Sequence, residues 1–244
     1  MTLRKVLLLQ FRDDVSTKHE QACFNNVLKG TGIQVDALNA ITDTFQDSAQ
    51  ILSDYHALII GGSGQYDLSS PHENLLKALA KTNNLFEHII NSDFPTFGVC
   101  FGHQLLSYKI GHFVEKNSDM AESGMALVTL NFGVDSIPIF NDIPPTFEVI
   151  EGHKDSVIIT GQIPYYKVLA QSEKCPVQAF RYKSNIYGVQ FHPELTPVEV
   201  AYRYSLYPEY LEKTGKLADQ IKSELHDTPF AQNILLNFVQ NNVS

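Results

Sequence analysis

Hydrophobic positions in the first 110 residues fall in short continuous runs separated by amphipathic stretches. Lys5 to Phe11 is an apolar run of strand length. Thr17 to Leu28 has helical spacing and ends at Gly30, and Ile33 to Leu38 reads as a second strand. The segment "HALIIGG", residues 56–62, predicts a third strand punctuated by a glycine pair, and a long helical pattern follows from Pro71 to about Ile90. "FPTFGVC", residues 94–100, predicts a fourth strand, followed by a helix from Gly102 to Ile110 that Gly111 stops. Strand and helix alternating in this way predict an α/β fold with a mostly parallel central sheet flanked by helices.

The second half changes period. "GMALVTLNF", "PTFEVIEG", "DSVIIT", "YYKVLAQS", "PVQAFRY" and "NIYGVQF" are short β-rich runs separated by turn residues. They predict antiparallel strands that extend the sheet or form a small β layer. From Pro197 the chain reads as helix, with breaks near Gly215 and Pro229, and the final helix is expected to pack on the sheet through Ile234, Leu235 and Phe238. With no internal repeat, low-complexity tract or linker, residues 1–244 read as one domain with a helical tail over 197–244.

Composition narrows the function classes. The 244 residues, 43% hydrophobic and 18% charged, suit a globular chain with a substantial core. The net charge of -9 comes without a Lys/Arg cluster, which disfavours nucleic acid or an anionic membrane as partner. The opening "MTLRKVLLLQF" lacks the small-residue cleavage site of a signal peptide, and no segment reaches the ~18 apolar residues of a membrane span. Cys23, Cys100 and Cys175 are widely spaced and odd in number, which argues against a disulfide framework or a zinc site and for a reducing cytoplasm. For Cys23 and Cys175, quiet packing as small hydrophobes is the simpler reading.

Cys100 is different. Strand, Gly98-Val99-Cys100-Phe101-Gly102, helix is the pattern of a nucleophile elbow, in which a sharp turn lifts the reactive side chain clear of the sheet. The following helix aims unpaired N–H groups at the sulfur and favours the thiolate. The alternative at this stage is a buried cysteine in a tight strand-to-helix turn. A thiolate nucleophile also requires a base, and the base an orienting partner. Among nine histidines, His103 is only three residues from Cys100, but on a helix it would project from the turn beyond, and it reads as packing. His192 stands in "YGVQFHPEL" at a strand end, with Glu194 two residues on and therefore on the same face of an extended chain. A surface His-Pro-Glu turn is the competing reading. His-x-Glu also opens the zinc deaminase signature, but the Pro-Cys-x-x-Cys it requires is absent. "LIIGGSGQYD" lacks the lysine of a P-loop and the full Gly-x-Gly-x-x-Gly; such a turn can instead offer a backbone N–H to an oxyanion.

"GGSG" after the third strand, "GVCFGHQ" at the elbow and "VQFHPE" near the end, in this order, resemble a class I glutamine amidotransferase domain over roughly residues 5–196. The resemblance implies the flavodoxin-like fold of that family and no cofactor or metal. It implies Cys100 as nucleophile, His192 as general base, Glu194 as its orienting carboxylate, and Gly62 with Phe101 as the oxyanion hole. It further implies Gln104 as a substrate-holding residue, with His153 and Asp155 of "EGHKDSV" near the pocket. Many members of the family carry proline where Ser63 stands. The elbow and tail resemble stand-alone members, both GMP synthase-like proteins and γ-glutamyl peptidases. Expected activities are hydrolysis of glutamine through a γ-glutamyl thioester, hydrolysis of γ-glutamyl peptides, or glutaminase action only when docked to a synthetase that receives the ammonia. A catalytically silent binding relic is the non-enzyme alternative. An α/β-hydrolase with a cysteine nucleophile fits less well, because its acid and histidine would be well separated.

Overall fold

The computed structural model describes residues 4–45, 48–134, 136–208 and 223–243. Its first strand, β1 (Arg4–Gln10), is buried from Val6 onward, and its side chains alternate between two cores. Val6 and Leu8 join Val35, Ile59 and Phe97 on one face, while Leu7 and Leu9 join Leu58, Ile60 and Phe86 on the other. A strand apolar on both faces can only sit inside a sheet covered on both sides, and the remaining elements supply that cover.

α1 (Ser16–Val27) leads to β2 (Ile33–Asn39), and a short helix α2 (Ser48–Ile51) to β3 (Ala57–Ile60); α3 (Glu73–Lys81) and α4 (Asn83–Ser92) precede β4 (Thr96–Val99) and α5 (Phe101–Ile110). The chain continues through β5 (Phe113–Lys116), β6 (Glu122–Leu130), β7 (Thr146–His153), β8 (Asp155–Ile158), β9 (Tyr166–Gln171), β10 (Ala179–Tyr182) and β11 (Ile186–Val189). Helices α6 (Pro197–Leu206) and α7 (Pro229–Asn242) follow. Nine strands form one sheet in the order β2-β1-β3-β4-β11-β10-β9-β6-β7, and β5 pairs with β8 in a second, two-stranded sheet. Pairing is parallel from β2 to β11 and antiparallel from β11 to β7. The expected mostly parallel sheet with a smaller antiparallel portion is what the chain forms.

Three details differ from the sequence reading. The long helix of 71–90 is two helices, because buried Thr82 turns its hydroxyl back onto the Ala78 carbonyl (2.8 Å) and leaves helical geometry at φ -99, ψ 3. β11 is not antiparallel to every neighbour: its fully buried "IYGV" runs parallel to β4, with Gly188 opposite Gly98. β5 was not anticipated, since "FVEK" is largely exposed and carries no buried face. Gly111 ends α5 as expected, with φ 120. The expected break at Gly215 lies outside the described residues. Among the described residues, no helix is long and apolar enough to cross a membrane.

α7 closes one face of the sheet. Ile234, Leu235 and Phe238 are fully buried there, with the Phe238 ring 5.1 Å from that of Phe97 and 6.2 Å from that of Tyr187. Phe238→Ala should therefore lower unfolding free energy by about 3–5 kcal/mol. Phe230→Ala, on the half-exposed side of the same helix, should cost far less. Denaturant titrations of the two variants check this; equal losses would mean that α7 does not hold the sheet through Phe238.

Candidate active site

Four adjacent parallel strands, β1, β3, β4 and β11, end along one edge of the sheet, where ligands of open α/β folds bind. Cys100 follows β4 directly and adopts φ 51, ψ -103, a region that costs a side-chain-bearing residue about 1–3 kcal/mol. The turn is held by two close approaches. A Cβ on Gly98 would meet the Gly102 carbonyl, and one on Gly102 would collide with the Ile60 carbonyl of β3. The Cys100 amide donates to the Val189 carbonyl of β11 at 2.9 Å, so the elbow is also pinned from its other side.

His192 follows β11, and its amide donates to the Ile150 carbonyl of β7 at 2.9 Å. Its Nδ1 lies 2.8 Å from Oε1 of the fully buried Glu194 carboxylate. On the other side the Cys100 sulfur is near enough to act on the imidazole, while the thiol itself donates to the Gly152 carbonyl at 3.7 Å. Burial alone would push this imidazole's pKa down; the Glu194 carboxylate and the Cys100 sulfur overcome that and raise it to about 10. Glu194, which burial would raise, is held below the ordinary carboxylate range by the His192 imidazolium and, more weakly, by Arg203. The structure thus brings Cys100, His192 and Glu194 together in the order a thiolate, its acid–base partner and an orienting carboxylate require.

Gly62 lies against this group. A Cβ there would stand 3.2 Å from His192 Cε1 and 3.6 Å from Cys100 Cβ. Phe101 is the first residue of α5, where a backbone N–H has no partner within the helix. Gln104, one turn further, donates from Nε2 to the Asp155 carbonyl at 2.8 Å and to Gln190 Oε1 at 3.1 Å. From the segment 151–155 it is the Gly152 carbonyl that reaches Cys100 Sγ, at 3.7 Å. The side chains of His153 and Asp155 turn away from the sulfur. His153 Nδ1 lies 2.9 Å from the Asp155 carbonyl, and its Nε2 lies 3.3 Å from Glu122 Oε2. The Asp155 carboxylate accepts from the Ser69 amide (2.8 Å) and hydroxyl (2.6 Å). Ser63 is buried and accepts from the Tyr66 amide through its hydroxyl at 3.1 Å, closing the glycine turn.

The other cysteines differ from Cys100. Cys23 is fully buried, and burial pushes its thiol pKa up; Cys175 is also fully buried and raised to about 12. Cys175 forms a second grouping with Glu122 and His153, their ligand-type atoms within 4.8 Å of one another. Glu122 there already accepts from Gln178 Nε2 (2.6 Å) and Ser172 Oγ (2.8 Å). His103 is fully buried against Phe180 (ring centroids 5.1 Å apart), and burial lowers its pKa to about 3, in keeping with packing.

The cavity beside His192 is lined in part by residues that no sequence motif marks. Its wall includes Arg12, Arg203, Tyr204, Tyr207, Ile150 and Leu195. Arg12, two residues past β1, is 1% exposed; its Nε lies 3.0 Å from Glu20 Oε1 and its Nη1 donates to Ser16 Oγ at 2.9 Å. Tyr204 donates to the Glu151 carbonyl at 3.0 Å, and Tyr207 to Asp14 at 2.6 Å, so the first part of the tail is fastened over the site. The available signal for Arg12 was its place just beyond the carboxyl end of a parallel strand.

The pH dependence follows from these directions. Below ~6.5, the ordinary histidine value, the raised pKa of His192 contributes its full stabilisation, which is then lost as pH rises toward about 10. Glu194 works in the opposite window, contributing above the ordinary carboxylate range and losing that contribution as acid protonates it in the folded state. The unfolding free energy of the wild type should therefore fall more steeply between pH ~6.5 and about 10 than that of His192→Gln. Parallel curves from urea titrations across that range would contradict the assignment.

The glutamine amidotransferase class-I family model matches residues 22–204. A glutamine-hydrolyzing GMP synthase subunit of Sulfurisphaera tokodaii is 36% identical over 163 residues, 66% of this chain and 79% of that protein. The protein of the same name from Thermococcus kodakarensis is 36% identical over 141 residues, 56% of this chain and 71% of that one. A crystal structure of a glutamine amidotransferase from Thermotoga maritima superposes with TM-score 0.78 at 19% identity, covering 99% of both chains, which speaks to the fold alone. With the elbow, the partnered imidazole and the family match together, the chain belongs to the class I glutamine amidotransferases and is an enzyme of cysteine-dependent glutamine hydrolysis.

Proposed function

We propose that Cys100, His192 and Glu194 carry the hydrolysis of a γ-glutamyl amide, with glutamine as the default substrate. The observation that carries this reading is the Cys100–His192–Glu194 chain of contacts at the end of β4 and β11. The Cys100 thiolate adds to the γ-carbonyl carbon, and the oxyanion is received by the backbone N–H groups of Gly62 and Phe101. The His192 imidazolium gives its proton to the departing nitrogen, the C–N bond breaks, and a γ-glutamyl thioester remains on Cys100. Thioester formation removes the sulfur's negative charge, one of the two influences that raise the His192 pKa. The neutral imidazole then takes a proton from water, hydroxide adds to the thioester, and glutamate leaves with the thiolate restored. Gln104 holds the loop that carries Asp155 and so shapes the substrate side of the pocket; His153 and Asp155 act through that same loop.

Residues 197–244 belong with the same unit on this reading, supported by Arg203, Tyr204 and Tyr207 standing in the wall beside His192. Three free buried cysteines fit a reducing, cytoplasmic setting. A second reading, favoured by the names of the similar proteins, is that the ammonia is handed to a separate synthetase subunit.

Purified protein incubated with glutamine should release glutamate, and Cys100→Ala should abolish that release while keeping the fold. An electrophilic glutamine analogue should label Cys100 and neither Cys23 nor Cys175. Glu194→Gln should lower turnover less than His192→Ala, since it leaves the base in place. Turnover that survives Cys100→Ala would end this reading, whereas labelling without turnover would direct attention to the synthetase-docked form.

A further inference from the structure

A second cluster of reactive side chains, with a thiol of its own, lies at the start of β6 and the end of β7. Glu122 and His153 stand directly opposite each other in that strand pair, and Glu151, two residues before His153, shares its face of β7. Cys175 comes from the turn between β9 and β10. Its sulfur, a Glu122 oxygen and a His153 ring nitrogen lie within 4.8 Å of one another. Cys175, His153 and Glu151 are all buried.

The tautomer of His153 decides what this cluster is suited to hold. Its Nδ1 faces the Asp155 carbonyl at 2.9 Å and so carries the proton, which leaves the lone pair on Nε2. That nitrogen stands 3.3 Å from Glu122 Oε2 and 3.8 Å from Glu151 Oε2, so acceptors face acceptors. Neither oxygen of Glu151 meets a donor at hydrogen-bond distance among the described residues; Gln178 acts on it only from further off. A buried carboxyl left in this way is costly unless a cation meets it. A proton on His153 Nε2 would serve the two carboxylates and give the thiol no part, whereas a metal ion uses every member of the cluster.

The spacing and the surroundings suit zinc. Tetrahedral zinc, with bonds of ~2.0–2.3 Å, sets its ligand atoms roughly 3.3–3.8 Å apart. Both separations from His153 Nε2 are already of that size, and the sulfur has about 1 Å or less to close. Outer partners hold the ligands in place, as metal sites require. Ser172 Oγ (2.8 Å) and Gln178 Nε2 (2.6 Å) donate to Glu122, and the Cys175 amide donates to the same Ser172 hydroxyl at 2.9 Å. A surface groove bordered by Glu122, Ser172, Glu173 and Lys174 opens beside the cluster. We propose that Cys175, His153, Glu122 and Glu151 bind one zinc ion. Binding exchanges the Cys175 thiol proton for a sulfur–zinc bond, and the thiolate with the Glu122 carboxylate balances the two charges of the ion. Gly152 lies between two of the ligands, so the ion fixes the carbonyl that accepts from the Cys100 thiol. The lack of paired cysteines, which argued against zinc in the sequence, does not bear on a site built around one cysteine.

Protein stripped with a chelator should take up one equivalent of zinc in competition with a chromogenic chelator. Cobalt in its place should give a thiolate-to-metal charge-transfer band in the near ultraviolet. Cys175→Ala should abolish that band and Cys100→Ala should keep it, which separates this thiol from the one beside His192. Ser172→Ala, which removes an outer partner of Glu122, should weaken zinc binding by about tenfold or more. Three results would each overturn the site: no uptake of zinc by the wild type, zinc uptake with no thiolate band on cobalt, or a band that survives Cys175→Ala or depends on Cys100. If Cys175→Ala does not fold, Glu122→Gln at the partly exposed edge of the cluster carries the test. It keeps the size of the side chain and removes its charge, and it should weaken zinc at least as much as Ser172→Ala; unchanged affinity rules the site out. None of these readouts requires turnover, so the zinc site and the catalytic assignment fail separately.

Discussion

Everything at the reactive edge depends on one backbone constraint: Cys100 is held in a conformation that side-chain-bearing residues avoid. The strain is local, at φ 51, and is sustained by contacts that leave no room for relaxation. Gly98 packs on the Gly102 carbonyl, Gly102 packs on β3, and the Cys100 amide is taken by β11. Three neighbouring strands must therefore be in place before the turn can exist. In return, the sulfur is carried at the start of α5, beside the imidazole of His192.

The charges around the sulfur are arranged in buried layers. His192 and Glu194 form the inner pair. Arg12 and Glu20 form an outer pair beneath the glycine turn, where Glu20 fills the space a side chain on Gly61 would need. Such pairs are a weak source of net stability, because desolvation offsets most of the attraction. Their value is positional. Each fixes a loop that would otherwise be free to move away from Cys100, and Tyr207 extends the network to the tail by packing its ring on Gly64.

The elbow, the His-Pro-Glu turn and the glycine pair were readable because each is a local pattern with a backbone reason. The strands of the first half were readable because burial on both faces writes a continuous apolar run. What escaped has no such local mark. Thr82 breaks a helix only because its hydroxyl is buried and finds a carbonyl. β11 looks like any short β run, and its parallel pairing is decided by the vacant place between β4 and β10. His153 and Asp155 lie in the segment the family likeness indicated, yet it is the Gly152 carbonyl that faces the sulfur. Arg203 has no local mark in the sequence; its burial comes with the packing of α6 against α1.

The place of β11 in the sheet has a consequence for the life of the chain. It is the last of these strands to be synthesised, yet it sits between β4 and β10 near the sheet's middle. Until it inserts, Cys100 lacks both the carbonyl that pins its amide and the imidazole that partners its sulfur. The pairing that completes the sheet is long-range and correspondingly slow to form. The elbow and its imidazole partner are thus completed in the same event as the finished sheet.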